Sequence, residues 1–214
     1  MMKLVIFDMD GLMFDTERVN RRAFMEVVKE KGFEPTYEQF AESLGMNASD
    51  NQALYERLYG KDVDGKAIYK EIGIRAKEII KREGVPVKEG LREILEVIAE
   101  KKIPMAVASG SEMEVILQYM KDAGISDYFR MVLSACEIER GKPFPDIFLE
   151  ICRRMKVDPE DALVLEDSEN GVRAALAGNL PVINVPDLIE IPEELQKQCL
   201  AVTENLREAI PYIR

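Results

Sequence analysis

The sequence predicts a doubly wound α/β core with a mostly parallel sheet, interrupted by an inserted helical segment, and three observations predict it. Short apolar runs are continuous instead of alternating, helical stripes lie between them, and the stretch after the first run has helical spacing with no strand. Continuous apolar runs mark strands covered on both faces, as parallel strands are.

The first run, Leu4 to Phe7, leads straight into Asp8, Met9, Asp10 and Gly11. Asp and Gly commonly punctuate a strand end, so a plain turn is one explanation. A calcium loop is another, but its fifth and sixth positions would be Leu12 and Met13, where an oxygen ligand and a glycine are needed. From Thr16 to about Gly84 the apolar residues keep helical spacing (Val19, Ala23, Val27; Ile68, Ile72, Ile79), with turns at Pro35-Thr36 and Gly60-Lys61. Stripes at Leu91, Ile94, Leu95 and Ile98, then Met113, Ile116, Leu117 and Met120, then Ile147, Phe148, Ile151, Cys152 and Met155, alternate with runs at 105–108, 131–133, 162–165 and 182–185. The expected organisation is an α/β core from residues 1–15 and 85–214 and a helical cap from residues 16–84, with no repeats.

A chain of 214 residues suits one domain with an insertion. Its formal net charge of -11 repels nucleic acid and anionic membrane, so any phosphate must be captured locally. Cys136, Cys152 and Cys199 form no CxxC pair and read as free thiols in a reducing compartment. No run approaches the ~20 apolar residues of a membrane span, and a cytoplasmic protein is expected. No heptad seam argues for assembly, and a monomer is the default expectation.

In open parallel sheets, ligands bind at the carboxyl ends of the strands. The first run delivers Asp8 and Asp10, the second Ser109-Gly110-Ser111, and the fourth Glu166-Asp167-Ser168; Lys142 follows the third after a loop. Each has a local explanation: a helix cap at Ser109-Gly110-Ser111, a surface lysine at 142, a capped turn at Glu166 to Ser168. Together they place four carboxylates at one sheet edge, where they repel unless a cation sits among them. Oxygen donors in a chain without histidine point to magnesium before zinc. A divalent cation, the Lys142 ammonium, Ser109 and the backbone at Gly110 would suit a phosphate dianion. The nucleophile candidates are then a carboxylate or Ser109. A second carboxylate two residues away favours Asp8 as nucleophile, with Asp10 giving a proton to the leaving oxygen and later taking one from water. Asp8, Glu166, Asp167 and phosphate outweigh the cation and Lys142, so Asp10 would start protonated.

The motifs DMDGLMFDTE at 8–17, VASGS at 107–111, GKPFPDIF at 141–148 and LVLEDSENGVRAALAG at 163–178 resemble, in order and spacing, those of the haloacid dehalogenase superfamily, in its β-phosphoglucomutase-like branch. The resemblance implies a Rossmann-like core with a four-helix cap, Asp8 as nucleophile, Asp10 as acid and base, and Ser109 and Lys142 on phosphate. It also implies Mg2+ held by Asp8, the Asp10 carbonyl, Glu166 and Asp167. The substrate would be a small phosphorylated metabolite, a sugar or nucleoside phosphate, selected by cap residues around Gly45, Asn47 and Asn51. Mutases of the branch resemble one another in a histidine shortly after motif one and a cap Lys-Gly followed by Arg. Asn20 and the stretch Leu44 to Ser49 depart from that, although Arg18, Arg21 or Arg22 could substitute. A phosphatase is therefore the expectation, with a phosphomutase as the alternative and a non-enzymatic phosphate or metal sensor as the alternative of another class.

Overall fold

The computed structural model describes every residue apart from Met1, Gly45 and Asn47. Strand β1 (Leu4–Phe7) is followed by four helices, α1 (Thr16–Glu30), α2 (Tyr37–Ser43), α3 (Ala48–Tyr59) and α4 (Gly65–Glu83). The chain then alternates: α5 (Leu91–Glu100), β2 (Met105–Ser109), α6 (Met113–Asp122), β3 (Met131–Ser134), α7 (Asp146–Met155), β4 (Ala162–Glu166), α8 (Glu169–Ala177), β5 (Val182–Asn184), α9 (Glu193–Gln196), β6 (Ala201–Val202) and α10 (Leu206–Ala209).

The strands form one sheet in the order β3-β2-β1-β4-β5-β6, with every pairing parallel. The five apolar runs are its first five strands. The sixth, β6, is absent from the sequence expectation because two residues at a sheet edge leave no apolar run to read. From β1 the chain builds outward to β2 and β3 on one side, then returns to add β4 on the other. That reversal between β1 and β4 is a topological switch point, and it opens a crevice at the carboxyl ends of both strands.

Every residue of β1, β2 and β4 is buried, which is why their sequences do not alternate. Leu4 and Ile6 join Ala106, Ala108 and Val164 in a core packed under Phe148 and Ile151 of α7 and Val172 of α8. Val5 and Phe7 point to the opposite face. There Phe7 meets Phe129 edge-on, with ring centroids 5.6 Å apart.

The chain separates into two compact units, residues 1–15 with 87–214 and residues 16–86, so the return joint falls two residues later than the expected 84/85 boundary. Within the helical unit α4 packs along α1 and α3. Phe24 of α1 lies 5.7 Å from Phe40 and 6.0 Å from Tyr55, and Phe33 stacks on Tyr59 at 4.7 Å. Thr36 and Gln39 form a reciprocal capping box that starts α2 where Pro35-Thr36 suggests a turn. Within the α/β unit, Phe14 bridges both Asp10 and Val87, and the Lys88 N–H donates to the Met13 carbonyl at 3.0 Å. The segment carrying Asp10 is thereby tied to the returning chain.

Phe148 is fully buried in the α7 face of the core. Its replacement by alanine leaves a cavity, and Phe148→Ala is expected to lower unfolding free energy by about 3–5 kcal/mol in urea titration.

Candidate active site

The switch point gathers the residues that the strand ends supply. Asp8 follows β1 directly and is 7% exposed, Glu166 ends β4 and is fully buried, and Ser109 ends β2 and is fully buried. Lys142 arrives from the loop before α7, and its side chain is only 13% exposed. It is not a solvated surface lysine. Its Nζ donates to Asp8 Oδ1, to Glu166 Oε1 at 2.6 Å and to the Ala108 carbonyl at 3.2 Å. An ammonium has three N–H groups, and all three are used.

Glu166 is held from the other side as well. Its Oε2 accepts the Ser168 N–H and the Ser168 hydroxyl, both at 3.0 Å. Ser168 Oγ in turn accepts the Gly171 N–H at 3.1 Å, which caps α8. Capping and carboxylate placement are therefore both done by Ser168. The Ser109-Gly110-Ser111 turn, in contrast, does not cap α6: the helix starts at Met113 behind Glu112, with no side-chain cap. That frees the turn for another task. Ser109 Oγ accepts the Ser111 N–H at 3.0 Å, and Ser111 Oγ donates to Asp10 Oδ2 at 2.8 Å.

The charges in this crevice oppose one another. Burial, reinforced by Glu166 and Asp10, pushes the Asp8 carboxyl up to about 8 despite the neighbouring Lys142. Burial, with Glu166 and Asp8, also raises Asp167 well above the usual carboxylate range. Lys142 is pulled down by burial, but Asp8 and Glu166 outweigh that and hold it above the ordinary lysine value. The crevice lacks positive charge. Asp167 Oδ1 is buried with no hydrogen-bond partner, an arrangement that costs free energy unless something else takes its lone pairs. Asp8, the Asp10 carbonyl, Glu166 and Asp167 could together hold a hard cation, since carboxylate oxygens accept more than one partner. Among the described residues no three acidic, imidazole or thiol side chains close on one point by themselves. Such a cation would thus take part of its shell from a backbone carbonyl, water and substrate, which is the habit of magnesium.

The family pattern of haloacid dehalogenase-like hydrolases matches residues 5–185. The chain belongs to this family. It is 30% identical over 183 residues to a phosphorylated carbohydrates phosphatase from Thermotoga maritima, covering 84% of this chain and 82% of that protein. It is also 30% identical over 187 residues to the fructose-1-phosphate phosphatase YqaB of Escherichia coli, covering 85% of this chain and 95% of that one. A solved structure from Thermotoga maritima with a provisional β-phosphoglucomutase name superposes with a TM-score of 0.82 at 26% identity, covering 99% of this chain and 98% of that one.

Of the site residues expected in this haloacid dehalogenase-like hydrolase, Asp8, Lys142 and Glu166 form one hydrogen-bonded group, and Asp10 and Ser109 form another with Ser111. Gly110 is exposed in the turn between them. The cap residues Gly45 and Asn47 lie outside the described residues. Asn51 is buried in α3 and donates from Nδ2 to the Met46 carbonyl at 3.1 Å. Ser134, at the end of β3, is a participant that motif reading passes over; its Oγ donates to the Ser111 carbonyl at 2.6 Å. The available signal is its position, one small hydroxyl residue opposite Ser109 in the β2–β3 register.

Two glycines make room for the carboxylates. A Cβ on Gly11, whose φ is +85°, would lie 2.1 Å from Asp167 Oδ2, and one on Gly171 would lie 1.7 Å from Glu166 Oε1. Side chains there would have to displace the acids. Gly171→Ala is expected to be destabilised by more than about 2 kcal/mol in urea titration, although alanine is the better helix former by up to ~1 kcal/mol.

Proposed function

We propose that this chain is a Mg2+-dependent phosphatase that hydrolyses a small phosphorylated metabolite, foremost a sugar phosphate, through an acyl phosphate on Asp8. That it is a phosphoric monoester hydrolase follows from its family and from relatives named as phosphatases. The observation that carries the mechanism is the buried Lys142 ammonium shared by Asp8 and Glu166, next to the unpartnered oxygen of Asp167. It supports a crevice suited to a phosphate dianion and a divalent cation together.

In this reading an Asp8 oxygen attacks phosphorus while the bond to the ester oxygen breaks, and the Asp10 carboxyl gives that oxygen its proton. Water then attacks the phosphorus of the acyl phosphate, Asp10 takes the proton back, and Asp8 leaves as a carboxylate with release of inorganic phosphate. Both half-reactions balance with one proton carried by Asp10. Ser109 Oγ and the turn at Gly110 face the phosphate oxygens. Lys142 can join them by exchanging its bond to the Ala108 carbonyl, while still fixing Asp8 and Glu166. Asp8, the Asp10 carbonyl, Glu166 and Asp167 would hold Mg2+, which supplies charge neutralisation for the dianion.

A phosphomutase is a second reading, favoured by the structural likeness at 26% identity. Against it stand Asn20 and the absence of Lys or Arg from Leu44 to Ser49, which leave only Arg18, Arg21 or Arg22 to anchor a second phosphate. Supplied with β-glucose 1-phosphate and a bisphosphate primer, a phosphatase releases inorganic phosphate, whereas efficient glucose 6-phosphate formation would make the chain a mutase.

Hydrolysis of p-nitrophenyl phosphate is expected to vanish in EDTA and to return with Mg2+. Phosphate binding without turnover in either condition would instead indicate a sensing module. A sharper outcome is expected of Asp10→Asn with the same ester. Its leaving group departs without a proton, but attack of water on the acyl phosphate still needs a base. The variant should give a burst of p-nitrophenol and then a steady state slowed about 10²- to 10⁴-fold, the scale of general acid-base catalysis. Turnover equal to the parent would remove Asp10 from the mechanism.

A further inference from the structure

Ser109 and Ser134 close the β2–β3 ladder opposite one another, and both are fully buried. Ending two strands does not require what their hydroxyls do. Ser109 Oγ accepts the N–H of Ser111 at 3.0 Å, and Ser134 Oγ donates to the carbonyl of Ser111 at 2.6 Å. The main chain of Ser111 is gripped at both polar groups by side chains from two different strands. Ser134 is fully committed, because its one proton goes to Ser111 while its oxygen accepts the Cys136 N–H at 3.2 Å. The gripped residue then turns its own hydroxyl on Asp10 Oδ2 at 2.8 Å, with Ser109 Oγ 3.4 Å from the same oxygen.

We propose that Ser134 and Ser111 are positioning residues for the acid and base of this enzyme: Ser134, with Ser109, clamps the Ser111 backbone so that the Ser111 hydroxyl holds the Asp10 carboxyl in place. The inference rests on the reading of Asp10 given above. A hydroxyl suits the task because it has one proton and two lone pairs and rotates freely. Ser111 gains and loses no proton over the cycle, so the proton balance stays with Asp10. The clamp matters because proton transfer depends on placement, and a misplacement of about 1 Å can cost 10²-fold.

The test compares two aryl esters that differ in how much their leaving groups need a proton. Phenol has a pKa near that of tyrosine, about 10, whereas p-nitrophenolate leaves unaided. Single-turnover release of phenol and of p-nitrophenol, with enzyme in excess and Mg2+ present, reads the first half-reaction. Ser111→Ala and Ser134→Ala should each slow phenol release about tenfold or more and leave p-nitrophenol release within about twofold of the parent, a part of the 10²- to 10⁴-fold effect of a complete acid. Ser134→Thr, which keeps the hydroxyl, should restore phenol release. Ser111 is only half-buried, so Ser111→Ala decides the matter if Ser134→Ala does not fold. Equal losses on both esters would assign these serines to the phosphate pocket and overturn the proposal, as would no loss on either. Asp10→Asn measured beside them separates the failures: if it too spares phenyl phosphate, the reading of Asp10 itself falls, whereas if it alone is slowed, only the positioning role falls.

Discussion

The Lys142 ammonium, buried against Asp8, Glu166 and the Ala108 carbonyl, is the interaction on which the rest of this site depends. It joins the ends of β1, β2 and β4 to the loop that precedes α7. A buried carboxylate is tolerable only when paired and hydrogen-bonded, and removing one partner of a buried pair typically costs about 3–5 kcal/mol. Without this ammonium, Asp8 and Glu166 would face each other uncompensated inside the sheet edge. With it, a carboxylate is fixed where a phosphorus atom can be approached.

Positive charge nonetheless stays short of negative charge, and the shortage is useful. Asp8 and Asp167 are both pushed up by burial and by their acidic neighbours, and Asp167 keeps a buried oxygen without a hydrogen bond. Folding has concentrated acids beyond what one lysine neutralises. Glycine makes that concentration possible, since at Gly11 and Gly171 any side chain would occupy the space of Asp167 and Glu166. Such an excess of buried acid is a pattern expected where electrostatic preorganisation drives chemistry.

The two aspartates after β1 are held differently. Asp8 is fixed by charge, whereas Asp10 is met by hydroxyls whose protons can reorient. Two aspartates two residues apart are thereby given separate environments by the turn after β2 and by the lysine loop.

The sequence by itself determined the strand and helix order, because continuous buried runs and helical stripes are local patterns that packing on both sheet faces imposes residue by residue. It also determined which side chains the strand ends and the loop before α7 could deliver, namely Asp8, Asp10, Ser109, Lys142, Glu166 and Asp167 in a chain without histidine. The tertiary structure decided what depends on neighbours distant in the chain. β6 exists because β5 offers it a partner. Lys142 becomes a buried counter-ion instead of a surface lysine because its loop ends against Asp8, 134 positions away. Ser134 acquires a partner in Ser111 only because β2 and β3 pair in a register that sets it opposite Ser109. Local patterns report which face a residue shows, but hydrogen bonds between strand ends depend on register, and register is a property of the assembled sheet.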